Sequence, residues 1–378
     1  MGDTSVIEQL GIDPKILDSK KEQTTKKVEY VRSYVEKWLW VWVTNPNTKS
    51  ITFIDAMANA GIYKDGDLCT AAEVAKLFGR FAKEHPGITF RLYINEIDQA
   101  RLEACVKICG SFIPDECANV AIVYANMDVN AFLHEAATTN KVPYGPGNAV
   151  LLFVDPYDMG TVHYGPLREF ISTRYCELLF NYFSSDLNRN GDEERVQRIV
   201  KCFDGLDIPT NADAGDAIAD ALRVGSMKYV FSYPFRIMSN RELYQIIFVS
   251  PHPAGLAKLK DALWDVFHGA AYHRNSRPAQ AVQASLFDTG LLDSVTAASY
   301  ATDAQEMLLE TFSGKSEVSY GAIATYLLER TMMRDGQFID NVLRPLVKDG
   351  RIRKDGKVGK TNFKRDTFTF PGIDSSTL

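Results

Sequence analysis

"FIDAMANAGIYKDG", Phe53–Gly66, carries an apolar, β-branched run into an aspartate and then into a series of small residues. This is the pattern of a strand entering a ligand-facing turn. Small side chains let a ligand approach the backbone, Gly61 takes positive φ without steric cost, and Asn59 is among the few other residues that tolerate a left-handed conformation. Before it, "TTKKVEYVRSYVEKWLWVWVTN" places Val28, Val31, Tyr34, Val35, Trp38 and Leu39 near helical spacing and stops where Asn45 precedes Pro46. After it, "CTAAEVAKLFGRFAKEHPG" reads as a helix, "ITFRLYINE" as a strand and "DQARLEACVKICGSF" as a helix. "VAIVYAN" is a third strand, "MDVNAFLHEAATT" helical, "NAVLLFVDPYDMG" a fourth strand and "YCELLFNYF" a fifth. Strands alternating with helices predict an α/β fold, a doubly wound Rossmann-like sheet whose parallel strands are joined by crossovers.

The pattern then changes. Ser184 to Met227 reads as a helical insertion, and "KYVFSYPFRIMS" and "ELYQIIFVSPH" as a hairpin that puts one antiparallel strand at or near the sheet edge. "GLAKLKDALWDVFHGAA" is a further amphipathic helix. From about Thr302 three short helices precede two strands in "RIRKDG" and "TFTF", the order of a winged-helix unit, which contacts nucleic acid or protein. The expected division is a helical segment at 1–50 and a sheet domain at 51–275 with its insertion at 184–227. A linker or arm at 276–301 and a small winged-helix-like domain at 302–378 complete it.

Bulk properties limit the function classes. Apolar content of 46% and charged content of 24% over 378 residues describe a globular chain. No apolar window approaches the roughly 18 residues of a membrane span, and Met1–Lys21 lacks the apolar core of a signal peptide, so a cytoplasmic location is expected. The six cysteines are too sparse for a disulfide scaffold. Cys105, Cys109 and Cys117 lack a nearby fourth zinc ligand, so no metal is expected. The net charge of −6 conceals a basic stretch: Arg344 to Arg365 holds nine Lys/Arg against two Asp, a balance of +7, so the remainder carries −13. Arg351, Arg353, Lys354, Lys357, Lys360, Lys364 and Arg365 are therefore the candidates for phosphate contact.

Ligands of doubly wound sheets bind beyond the carboxyl ends of the strands. The first strand offers Asp55, Ala58, Asn59 and Gly61 there. The second offers Glu96, whose carboxylate suits two ribose hydroxyls. The third offers Asn126 and Asp128 for an adenine amino group, and the fourth Asp155, Pro156 and Tyr157. Any one of the acids has a plainer use as a cap for the next helix; four consecutive strands ending in suitable groups favour a nucleoside cofactor. G-x-G-x-x-G and G-x-x-x-x-G-K-[ST] are both absent, which leaves S-adenosylmethionine as the better match.

The helix with Lys26 and Lys27, the Phe53–Gly66 turn, "LLFVDPYDMG", the "NRELYQIIFVSPHPAGLAKLKDALW" hairpin and "SLFD" at Ser285–Asp288 together resemble the three-Cys-motif partner protein (TcmP) family, over roughly Thr24 to Asp288. The resemblance implies a class I S-adenosylmethionine-dependent methyltransferase-like fold and a partner bearing a three-cysteine, radical-enzyme-like motif. The family's first turn usually reads D-x-F-A-G-x-G; Asp55, Ala58 and Gly61 match it, and Met57 and Asn59 depart. "DPY" is similar to the D-P-P-Y motif of methyltransferases that modify exocyclic amino groups of nucleobases. There the Asp and a proline carbonyl accept hydrogen bonds from the amine while the aromatic ring stacks on the base. Asp155, Pro156 and Tyr157 would fill those roles, with one proline missing.

Three functions follow from these residues. The first is a methyltransferase acting on a nucleobase in DNA or RNA, with the C-terminal unit holding the polynucleotide. The second is a non-catalytic accessory that binds nucleic acid or a partner through a degenerate fold, which Asn59 and the missing proline favour. The third is a metal-dependent nuclease in which Asp55, Glu96, Asp128, Asp155 and Asp158 converge on one rim.

Overall fold

Every residue of strand β1 (Ser50–Asp55) is buried, as a central strand covered on both faces requires. The structure, a computed structural model, describes residues 4–183, 193–209, 214–236, 242–269, 272–273, 289–355 and 363–372. A short helix α1 (Ser5–Gln9) and a long helix α2 (Glu22–Val43) precede β1. Then follow α3 (Thr70–Glu84), β2 (Thr89–Asn95), α4 (Gln99–Ser111), β3 (Val120–Ala125), α5 (Val129–Thr138), β4 (Asn148–Val154), α6 (Tyr164–Thr173) and β5 (Cys176–Tyr182). Helices α7 (Glu193–Cys202) and α8 (Ala214–Ala221) lie in the expected insertion, and β6 (Tyr229–Arg236) and β7 (Glu242–Ser250) form the expected hairpin. Residues 184–192 and 210–213 of that insertion, and the "SLFD" segment, lie outside the described residues.

The strands, with the two-residue β8 (Tyr272–His273), form one sheet in the order β3-β2-β1-β4-β5-β7-β6-β8. β1 to β5 run parallel, and β7 is antiparallel to both β5 and β6. β7 thus sits inside the sheet, and β6 returns parallel to the first five strands. This mixed α/β, mostly parallel sheet is consistent with a Rossmann-like methyltransferase fold.

Side chains alternate along each strand, so the two faces take different helices. Ile54, Leu152, Leu178 and Phe180 pack with Phe132 and Leu133 of α5, Leu167 and Phe170 of α6, Ile199 of α7 and Ile218 of α8. On β5 the alternate residues Glu177 and Asn181 turn the other way. There the Tyr34 hydroxyl of α2 donates to Glu177 at 2.5 Å, and the Tyr34 ring meets Phe248 edge-on at 5.2 Å.

Helix α6 begins at Tyr164, within "TVHYGP". Gly165 and Pro166 look like breakers, but Pro166 occupies the helix's first turn, where its missing N–H has no partner to lose.

The chain divides into two units, Met1–Gly255 with Ala271–Asn275, and Leu256–Ala270 with Ser276–Leu378. The expected boundaries differ in three places. Residues 1–50 belong with the sheet. Most of α9 (Pro253–Phe267) belongs with the C-terminal unit, because its Trp264 Nε1 donates to Met332 O at 2.7 Å and its Lys260 ammonium to Thr331 O. The segment read as linker or arm gives way at Thr289 to helix α10 (Thr289–Thr311).

Beyond α10, the C-terminal unit contains β9 (Val318–Ser319), α11 (Tyr320–Arg330), α12 (Asp335–Phe338), α13 (Arg344–Lys348), β10 (Arg353–Asp355) and β11 (Thr367–Thr369). Its three strands form an antiparallel sheet in the order β10-β11-β9. Pro345 has no N–H to give, and the chain widens to a π-turn over Ile339–Leu343 before it. Among the described residues no helix is long and apolar enough to cross a membrane.

Gly79 lets α3 approach the loop after α4: a Cβ there would lie 2.3 Å from the Phe112 carbonyl oxygen and 3.1 Å from Pro114 Cδ. Gly79→Ala is expected to lower stability by about 1–3 kcal/mol, the backbone clash outweighing alanine's better helix propensity. A reduced urea midpoint at unchanged slope is the readout.

Candidate active site

Strand order reverses between β1 and β4, and the chain leaves a crevice at their carboxyl ends. A cavity of about 560 Å³ opens there, within the roughly 300–1,000 Å³ typical of small-molecule sites. Asp55, Met57, Ala58 and Asn59 line it from the turn after β1, and Asp155, Pro156 and Tyr157 from the end of β4. Gln23, Thr24 and Lys27 of α2 wall another side, with Asp18, Tyr63, Phe183 and Tyr244.

Asp155 is held from two directions. Lys27 Nζ lies 2.5 Å from its Oδ2, and Asn181 Nδ2 donates to its Oδ1 at 2.6 Å. Lys27 occupies the apolar stripe of α2 with Val31, Tyr34 and Trp38 and is itself buried. Its ammonium lies 5.7 Å from the centre of the Tyr244 ring. A cation in so dry a place requires its counter-charge. Asp155 is accordingly fixed in orientation, with lone pairs left on each oxygen for a further donor.

Asp55 behaves differently. Burial raises its carboxyl from the ordinary value near 3.8 to about 8; the Met57 amide and Lys27 oppose the shift, and Asp155 and Glu96 add to it. At neutral pH it is mostly protonated, a neutral group at the base of the cavity.

The turn after β1 departs from the expected open cradle. Asn59 takes the left-handed conformation, φ +59°. The four amides from Met57 to Ala60 all serve the chain itself: they donate to Asp55 Oδ1 at 3.3 Å, Asn95 O at 2.9 Å, Glu96 Oε2 at 2.9 Å and Asn59 Oδ1 at 2.6 Å. Asn59 Nδ2 donates to Asp18 Oδ2 at 2.8 Å and to the Tyr157 hydroxyl at 3.1 Å. Arg101 grips Asp18 through both terminal nitrogens and also donates to Tyr157 at 3.0 Å. Burial pushes the Tyr157 phenol up to about 12, against the pull of Arg101. The residue as a whole nevertheless remains 61% exposed.

The other candidates stand outside the cavity. Gly61, at φ +80°, is required by packing: a Cβ would lie 3.0 Å from Cys105 Cα of α4. Glu96 is buried and accepts the Asn59 and Asp98 amides, so both its oxygens are engaged by loop backbone. Asn126 donates to the Glu96 and Ile97 carbonyls, and Asp128 caps α5 through the Asn130 and Ala131 amides. Asp158 pairs with Arg198 at 3.4 Å, and His163 Nδ1 lies 2.9 Å from Asp204 at the start of α6. The five carboxylates of the nuclease reading therefore do not converge. Among the described residues no group of three or more His, Cys, Asp or Glu is placed to hold a metal. The six thiols are buried and unbridged.

In the C-terminal unit the basic stretch is largely matched by acids. Arg351 grips Glu306 with two bonds, Arg353 meets Asp355 at 2.9 Å, Lys354 meets Asp366 at 3.1 Å and Lys364 meets Asp335 at 2.9 Å. Arg365 is exposed. Lys357 and Lys360 lie outside the described residues.

Gln23, Asp18 and Arg101 were not singled out by sequence, and Lys27 was named only for the family resemblance, without a role at the site. Lys27 does carry a signal, a charge at an apolar helical position; Asp18 and Arg101 carry none, since only folding joins them.

No family model matches the sequence, and no curated protein is found to match it. Solved structures similar to the chain include a complex of Trm1 from Pyrococcus horikoshii with S-adenosyl-L-methionine, at 13% identity and TM-score 0.35, covering 62% of this chain and 58% of that one. The small RNA methyltransferase HEN1 is similar at 12% identity and TM-score 0.35, covering 62% of this chain and 27% of that one. A type I restriction-modification methyltransferase subunit from Streptococcus thermophilus is similar at 10% identity and TM-score 0.33, covering 59% and 43%. Likeness of this degree carries no conclusion about chemistry.

Two outcomes are expected. An acid whose folded pKa is raised stabilises the protein at low pH and loses that contribution as pH climbs from about 3.8 to about 8. The stability of Asp55→Asn should therefore gain on the wild type across that window, by up to about 1.4 kcal/mol per pH unit, and run parallel to it above pH 8 in urea titrations. Lys27→Met should cost on the order of 1–3 kcal/mol, less than a fully buried pair because Asp155 keeps some solvent. Adding Asp155→Leu should recover part of that loss in a double-mutant cycle.

Proposed function

We propose that this chain is an S-adenosylmethionine-dependent methyltransferase whose acceptor is an exocyclic amino group of a nucleobase in DNA or RNA. The observation that carries the reading is the meeting of the Asp55–Asn59 turn with Asp155, Pro156 and Tyr157 in one cavity, at the reversal point of the sheet. When bound, the cofactor supplies an electrophilic methyl group. Protonated Asp55 and the side chains of Ala58 and Asn59 would hold it. Asp155, oriented by Lys27 and Asn181, accepts a hydrogen bond from the amine and keeps the amine's lone pair directed at the methyl group. The exposed Tyr157 ring offers a stacking face. On receiving the methyl group the amine would give up a proton to water, Asp155 staying a hydrogen-bond acceptor throughout. Glu96, Asn126 and Asp128 would hold the nucleoside part once released from the backbone bonds they now make.

The C-terminal unit, read as winged-helix-like, would hold the polynucleotide. Its exposed ion pairs, such as Arg351 with Glu306 and Lys364 with Asp335, are weak and would exchange for phosphate. A duplex substrate has to extrude the base. The TcmP resemblance adds a three-Cys-motif, radical-enzyme-like partner to the proposal.

A second reading, a non-catalytic accessory protein, is favoured by the closed turn, whose four amides and Asn59 side chain are already engaged. Isothermal titration with S-adenosylmethionine separates the two. Binding in the micromolar range is expected for the enzyme; absence of heat at millimolar cofactor would leave the accessory role.

A further inference from the structure

Helix α2 turns a second polar side chain into the cavity. Gln23 lies one turn before Lys27, on the same helix face, and both line the cavity. Its Oε1 is buried and has no hydrogen-bond partner among the described residues. A buried acceptor without a donor is destabilising, and in the first turn of a helix many residues would avoid it. Asn181, whose Nδ2 donates to Asp155, likewise buries an Oδ1 without a partner. Gln23 Oε1, on a residue that lines the cavity with Asp155, and Asn181 Oδ1, on a residue bonded to Asp155, are thus acceptors left for a group that brings hydrogens.

A primary aromatic amine is such a group. Its two hydrogens lie in the ring plane, with the lone pair out of it, so binding both in plane presents the lone pair to a methyl donor. Asp155 takes one hydrogen. In the D-P-P-Y motif a proline carbonyl takes the other; "DPY" keeps only Pro156, in a segment one residue shorter. We propose that Gln23 Oε1 supplies this second acceptor, making Gln23 a specificity-determining residue for unmethylated amines. The inference rests on the nucleobase-amine reading above. Once the nitrogen carries a methyl group it has one hydrogen left, so Gln23 goes unpaired and the product binds poorly. The site is thereby built to stop after one methyl transfer.

The test is isothermal titration of adenosine, cytidine, N6-methyladenosine and N4-methylcytidine into the wild type and Gln23→Leu, with S-adenosylhomocysteine present. Gln23 has no bond at Oε1 to lose, and an unchanged thermal midpoint verifies that the variant folds. In the wild type at least one primary amine should bind about tenfold tighter than its methylated form. Gln23→Leu should lose about tenfold in affinity for that amine and bring the pair within about twofold. An unchanged preference in Gln23→Leu overturns the role of Gln23 and leaves the amine-methyltransferase reading standing. If S-adenosylhomocysteine binds and neither primary amine does, the amine acceptor and the role of Gln23 fall together. If S-adenosylhomocysteine does not bind, the methyltransferase reading falls, and the nucleosides titrated alone decide the role of Gln23 by the same ratio.

Discussion

The ion pair between Lys27 and Asp155 joins groups 128 positions apart in the chain. A lysine on the buried stripe of α2 is tolerable only where a carboxylate meets it, and Asp155 meets it where β4 leaves the sheet. This one requirement sets where α2 lies along the sheet. From it follow the contact of Tyr34 with Glu177 one end of β5 away, and the exposure of Gln23 and Thr24 to the cavity. The site is therefore walled by a helix that precedes the sheet fold in sequence, and its charge balance is part of the packing.

The turn after β1 shows the opposite economy. Asn59 takes the left-handed conformation that a glycine would adopt more cheaply, but its amide side chain closes the turn from inside and reaches Asp18 and Tyr157 as well. The same residue thus organises the local network. Glu96 is drawn into it through the Asn59 amide, and its two oxygens are engaged by backbone. The side of the crevice at Glu96 is closed while the side at Asp155 is open, a distinction that concerns hydrogen bonds already made within the chain.

The strands and most helices were legible because their periods are local. The runs from "SITFIDA" to "YCELLFNYF" fall on β1 to β5, and the hairpin was visible from its turn. Helix α6 was hidden by Gly165 and Pro166, which act as breakers in a helix interior and are harmless in its first turn. The strand-end acids were equally visible, but their uses were not. Asp128 became a helix cap and Asp158 a partner of Arg198, while Asp55 and Asp155 faced the cavity. A carboxylate at a strand end has the same sequence signature in each case, and only the position of the neighbouring strand separates them.

By itself, then, the sequence determined the alternation of elements, the parallel sheet with one reversed strand, and the segments that end at the sheet's carboxyl edge. Hydrophobic period and turn chemistry act over a few residues, and these features follow from them. The tertiary structure decided which ends meet: Lys27 with Asp155, Asn181 with the same carboxylate, Arg101 with Asp18, and Gln23 with the cavity. Those pairings depend on burial and charge between groups far apart in the chain. Such interactions acquire their strength only when folding removes water, and no local pattern records them.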